Sequence, residues 1–174
     1  MNQKRTAVAL FNNNNVKGSV IFTQIDPKQP VNVKFNLYSL EPNVVRAIHI
    51  HEYGDEREGC TSLGGHWNPF NKTHGTILLP ELERHAGDLI NNITPDANGI
   101  FIEEYNDELL NLFGDVNTTI IGRSVVIHDG VDDLGLGGLN EDGSVDFEKF
   151  KTSLENGNAG SRMACAIIGI ASNN

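Results

Sequence analysis

Five of the six histidines of this 174-residue chain, His49, His51, His66, His74 and His85, lie within residues 49–88, and Asp88 closes the group. The sixth, His128, stands alone in the second half. Imidazoles and carboxylates are common metal ligands, so the chemistry this pattern points to is metal binding. His49 and His51 end an apolar run, Val44-Val45-Arg46-Ala47-Ile48, that reads as a β-strand. Strand side chains alternate faces, so histidines two apart project on one side and can grip one ion. A lone His-x-His pair on a strand is usually surface decoration. Six ligand-type side chains in one loop and its flanking strand are a far more specific signal.

The elements that must position these residues read as short strands with turns between them. Strands are expected at Thr6 to Phe11, Val16 to Ile25, Val31 to Leu37, Val44 to His51, Ala86 to Ile90, Ile100 to Tyr105, Ile120 to Ile127 and Met163 to Ile170. Val31 to Leu37 alternates apolar and polar, the mark of a half-buried strand. Asn12 to Asn15 and Thr94 to Gly99 supply turns. Leu109, Leu110, Leu112 and Phe113 read as a connection that plugs the core. The loop after His51 is punctuated by Gly, Pro and Asn and is too long for an ordinary connection; loops of that length are usually functional. A second long loop spans 129–161. Eight strands at this spacing predict an all-β, eight-stranded Greek-key flattened barrel, an immunoglobulin-like sandwich with two long functional loops, forming a single domain over residues 1–174.

Composition narrows the function. A formal net charge of −10 opposes nucleic-acid binding, whose phosphates need a basic face, yet leaves room for a small anionic substrate at a locally positive site. No segment is apolar and long enough to span a membrane, and the start, Met1 to Arg5, lacks the apolar run of a signal peptide. A cytoplasmic location is the resulting expectation. Three Asn-x-Thr sequons, at Asn71, Asn92 and Asn117, are read as chance in that setting.

Four segments then carry a family resemblance. His49-Ile50-His51-Glu52-Tyr53-Gly54-Asp55, Gly65-His66-Trp67-Asn68-Pro69, Glu83-Arg84-His85-Ala86-Gly87-Asp88-Leu89 and Gly157-Asn158-Ala159-Gly160-Ser161-Arg162-Met163-Ala164-Cys165 resemble copper/zinc superoxide dismutase. They do so in order and over nearly the whole chain. The resemblance implies disproportionation of superoxide to dioxygen and hydrogen peroxide by alternate reduction and oxidation of copper. It implies one copper and one zinc ion per chain. His49, His51, His66 and His128 match copper ligands, and His66, His74, His85 and Asp88 match zinc ligands, with His66 shared. Arg162 and His66 match the residues that handle substrate and proton. Asp132 matches the carboxylate behind the ligands that bonds a copper histidine and a zinc histidine, here His49 and His74.

Cys60 and Cys165 are the only cysteines. Taken alone they could be two reduced, buried thiols; the resemblance implies a disulfide between them, closing a loop of about a hundred residues. It also implies a homodimer through Tyr53, Gly54, Ile121, Gly122 and Ile170. Against the common family pattern, Ala47 stands in place of a glycine, Arg46 replaces a neutral or histidine position, and Gly75 to Pro80 is about two residues longer, with an apolar Ile77-Leu78-Leu79. The segment between Gly138 and Gly157 carries roughly eleven additional residues. Within it, Phe147, Phe150 and Leu154 fall at helical spacing, which predicts a short amphipathic helix over 144–155, N-capped by Ser144 and packed on the barrel by its apolar stripe. Lys149 or Lys151, if turned toward copper, would draw in the anion. A catalytically inactive metal-binding relative, a copper chaperone and a structural zinc sandwich are the rival readings. Retention of the copper-type histidines and Arg162 opposes the first and third, and the presence of only two cysteines opposes the second.

Overall fold

The structure, a computed structural model, describes residues 4–13, 15–79 and 83–172. Met1 to Gln3, Asn14 of the first turn and Pro80 of the lengthened segment lie outside the described residues. The strands are β1 (Arg5–Asn12), β2 (Lys17–Gln24), β3 (Val31–Tyr38), β4 (Arg46–His51), β5 (Arg57–Cys60), β6 (Asn91–Ile93), β7 (Phe101–Asp107), β8 (Ser124–His128) and β9 (Arg162–Ile170), with one helix, α1 (Phe147–Asn156), before β9. Eight of them form one antiparallel sheet in the order β6-β4-β8-β9-β1-β2-β3-β7, curled into a nearly closed barrel. The connections from β3 to β4 and from β7 to β8 cross between distant positions in that order, as Greek keys require. The all-β expectation holds, and β5 is a short addition outside the main sheet.

Alternation along each strand explains the core. In β3, Val31, Val33, Phe35 and Leu37 are buried while Lys34, Asn36 and Tyr38 face solvent. Phe11, Phe22, Phe35, Ile48, Ile50, Ile127 and Ile168 meet inside the barrel, and Leu110 and Leu112 enter it from their connection. Leu109 and Phe113 pack partly against it. The histidine strand β4 differs, since all residues from Ala47 to His51 are buried. Ile48 and Ile50 belong to the barrel core, whereas His49 and His51 point to the other face, beneath the long loops.

Two strand expectations are corrected. Residues 86–90 are not a strand: Ala86–Asp88 is a 3-10 turn, and the strand begins at Asn91. The turn folds the Asp88 carboxylate back to accept from the His85 N–H at 2.8 Å, a bond that extended backbone could not make. Residues 120–123 are also a turn, with Arg123 N–H donating to Ile120 O at 3.1 Å and Gly122 at φ 85°, so β8 starts only at Ser124.

The helix is present but shifted and oriented differently from its apolar pattern. It starts at Phe147, and Asp146, not Ser144, caps it by accepting from the Lys149 N–H at 3.2 Å. Phe147 is 78% exposed and Phe150 and Leu154 are only half-buried. Ser153 is the residue that is fully buried. Polar anchoring wins here: Ser153 Oγ donates to Asp133 at 2.5 Å and accepts from the Gly137 N–H at 2.9 Å.

Candidate metal centre

Backbone pairing brings the distant histidines together. β4 and β8 run antiparallel with His49 opposite Val126 and His51 opposite Ser124. A register irregularity between Ile127 and His128 turns the end of β8, where His128 pairs with Arg162 of β9. Bulges of this kind re-aim side chains at sites. The long loop returns to β4 through an isolated bridge between His51 and His66, with Trp67 N–H donating to Ile50 O at 2.8 Å. Gly87 N–H then donates to Trp67 O at 2.9 Å, and a Cβ on Gly87 would lie 2.4 Å from Ile50 O. That layer of backbone admits only glycine.

Two groups of potential ligands result, His49, His51, His66 and His128 in one and His66, His74, His85 and Asp88 in the other, each with ligand atoms within 4.8 Å of one another. All seven residues are buried. His66 belongs to both. Its Nδ1 faces Asp88 at 3.1 Å, and its Nε2 is buried without a hydrogen-bond partner. His49 Nδ1 is likewise buried and unpartnered, while His51 Nε2 and His128 Nε2 face each other at 3.2 Å. Four imidazole nitrogens with so few partners fit a nitrogen-preferring cation such as Cu(II). In the second group the Nδ1 atoms of His66, His74 and His85 all converge on one oxygen of Asp88 at 3.0 to 3.1 Å. Three imidazoles and a carboxylate fit a closed tetrahedral zinc site.

The electrostatics agree with that division. Burial, reinforced by neighbouring histidine charge, pulls His51 down to about 2 and His66 to about 3; burial likewise lowers His128 to about 4. Burial lowers His49 too, against the pull of Asp132. All four are therefore neutral at physiological pH, with lone pairs available to a metal. His74 is the contrast. Burial alone would lower it, but hydrogen bonds with Asp132 and Asp88 outweigh burial and hold it up at about 9. The same bonds keep both carboxylates below their usual range despite desolvation. The negative charge in this half of the site is thus built to face a cation.

Asp132 is 2% exposed and lies between the groups, with Oδ2 at 2.6 Å from His49 Nε2 and Oδ1 at 2.9 Å from His74 Nε2. Sequence reasoning missed what holds it. Asn91 Nδ2 donates to Asp132 Oδ2 at 3.0 Å and to Gly75 O at 2.7 Å, and the Asn92 side chain bonds both backbone groups of Asp132. Asn91 sits at φ 60°, so the Asn-Asn dipeptide was the only signal available. Arg84, buried beside His85, ion-pairs with Asp107 of β7 at 2.7 Å and was also missed.

Arg162 lies at the open side of the first group. Its guanidinium donates to the carbonyls of Cys60, Thr61 and Gly64. With His51, His66 and His128 it lines a pocket of about 260 Å³. Cys60 and Cys165 form a disulfide, which ties the segment bearing those carbonyls to β9. Lys149 and Lys151 are exposed and do not line the pocket; Glu155 and Asn156, from the last turn of α1, do.

An all-β barrel with two adjoining ligand groups that share one histidine defines a binuclear metalloprotein. The sequence model of the family described as copper/zinc superoxide dismutase (SODC) matches residues 16–168. The superoxide dismutase [Cu-Zn] of Talaromyces marneffei is 40% identical over 167 residues, covering 96% of this chain and 98% of that protein. The enzyme of the same name from Saccharomyces cerevisiae is 43% identical over 155 residues, covering 89% and 90%. A crystal structure of the clock protein EA4 superposes with a TM-score of 0.79 at 34% identity, covering 95% of this chain and 94% of that one. The chain belongs to the copper/zinc superoxide dismutase family.

Proposed function

We propose that the chain is a superoxide dismutase that converts two superoxide anions and two protons into dioxygen and hydrogen peroxide. The observation that carries the reading is His66, buried between the two ligand groups with one ring nitrogen toward each. Copper supplies the one-electron redox chemistry, and zinc, which has none, supplies charge and closure. His49, His51, His66 and His128 hold copper; His66, His74, His85 and Asp88 hold zinc. His66 Nε2 is where a proton can be held for the peroxide that leaves. The Arg162 guanidinium, fixed by three carbonyls, attracts and orients the anion beside the copper histidines. Asp132 fixes the His49 and His74 rings from behind. The catalytically inactive alternative gains nothing, because every ligand position and Arg162 are retained.

The reading extends to a homodimer. Tyr53 is 51% and Ile170 77% exposed, and Gly54 lies so close to Gly122 O and to Ile167 that a Cβ there would meet both. Half-buried Ile121 borders one cleft with Tyr53, Gly54 and Gly122 and another with Ile170, an arrangement that suits a self-complementary contact. A cytoplasmic location completes it; no helix among the described residues is long and apolar enough to cross a membrane.

Metal analysis with a superoxide assay tests the function. The purified protein should hold one copper and one zinc per chain, and removing copper alone should abolish dismutation. A preparation loaded only with zinc, yet fully active, would sink the copper assignment.

A further inference from the structure

The extended second loop was expected to aid the substrate with lysines, but the residue it delivers to the pocket is an acid. Glu155 lines the same pocket as Arg162, His51, His66 and His128. The backbone on either side of it is tied to the metal loops. The carbonyl of its neighbour Leu154 accepts from the His74 N–H at 2.8 Å, and Gly157 O accepts from the Asp133 N–H at 2.9 Å. Two residues before it, Ser153 is buried on Asp133. The carboxylate itself makes no hydrogen bond or ion pair among the described residues and is exposed, so its charge is left to act on the pocket. Nor does it serve the helix. Glu155 sits in the last turn, where the helix presents its own negative end and where no basic residue balances it. Placed there it opposes both the helix dipole and an incoming anion.

We propose that Glu155 is a specificity-determining residue that restrains anion entry to the copper pocket, acting against Arg162 and setting the rate and its salt dependence. The proposal rests on the dismutase reading for its substrate. Its electrostatic content can be read independently with azide, a small monovalent anion that binds copper and undergoes no turnover there.

The test compares Glu155→Gln and Glu155→Lys with Glu148→Gln, an equal charge change on an exposed position in the first turn of the same helix. For each metal-loaded protein, azide affinity is read from the copper absorption spectrum, and kcat/KM is measured across ionic strength. Relative to the unaltered protein, Glu155→Gln should tighten azide by about 2- to 5-fold and raise kcat/KM similarly, as one partly screened charge does. It should also make the fall of log rate with salt steeper, because the pocket has become more positive. Glu155→Lys should go further in the same direction, with metal content unchanged. Glu148→Gln should do little. Equal azide affinity and equal salt slope across the Glu155 series would overturn the proposal, as would a Glu148→Gln effect as large as that of Glu155→Gln. Absent dismutation with a graded azide response would refute the dismutase reading while keeping Glu155 as the determinant of anion entry.

Discussion

Asp132 links the two halves of the centre, because one side chain contacts a ring in each group, at 2.6 and 2.9 Å. Carboxylates behind metal ligands set ring orientation, and their loss commonly weakens metal by 10- to 100-fold. His74 has Asp132 and Asp88 as its two partners, whereas His49 is one of four copper-type imidazoles. Asp132→Asn should therefore weaken zinc by about 10- to 100-fold and copper less, measured by competition with a chelator of known affinity. Unchanged zinc affinity would remove Asp132 from support of the site. Gly157 belongs to the same neighbourhood: a Cβ there would lie 2.4 Å from Asp132 Oδ1 and 2.6 Å from His74 Nε2. At φ 66° it also caps the helix, so one glycine serves two close constraints.

At the scale of elements, the long loops are ordered by staples rather than by a core of their own. Asp133 receives Ser153 Oγ and Asn158 Nδ2 and so holds α1, while Asp132 beside it holds the histidines. Arg84 and Asp107 pin the zinc loop to β7. The disulfide joins residues 105 apart, tying β5 to β9. Closing a loop of that length stabilises by about 4 to 5 kcal/mol in the chain-entropy account. The variant with both Cys60→Ser and Cys165→Ser should lose about that much stability in urea unfolding of the metal-free protein. A loss under about 1 kcal/mol would show that the unfolded chain gains little freedom when the bond is absent.

For the whole molecule, the net charge of −10 repels superoxide at long range, so capture depends on the local balance at the pocket. Tyr53, Ile121 and Ile170, the residues proposed for the two-fold contact, do not line that pocket. Dimerisation there would leave the substrate path open. Sedimentation at micromolar concentration should give a particle of twice the 19.0 kDa chain mass. Ile170→Lys, which would put a charge into the proposed contact, should shift it toward the monomer with metal content unchanged. A 19.0 kDa particle for the unaltered chain would contradict the dimer.

The sequence by itself determined the alternation that builds the barrel, because buried strand positions such as Val31, Val33, Phe35 and Leu37 repeat every second residue. It also determined which side chains could serve as ligands, since their types and the His-x-His spacing are local facts. The tertiary structure decided what depends on distant partners. Ala86–Asp88 is a turn and not a strand because the Asp88 carboxylate must reach His66, His74 and His85 at once. Asn91 matters because it meets Asp132, a residue 41 positions away. The helix in the second loop was legible from its spacing, but which face it buries was not. Hydrogen bonds that Ser153 Oγ and Asn158 Nδ2 donate to Asp133, and not the apolar stripe, orient it, and that rotation brings Glu155 to the pocket instead of Lys149 or Lys151.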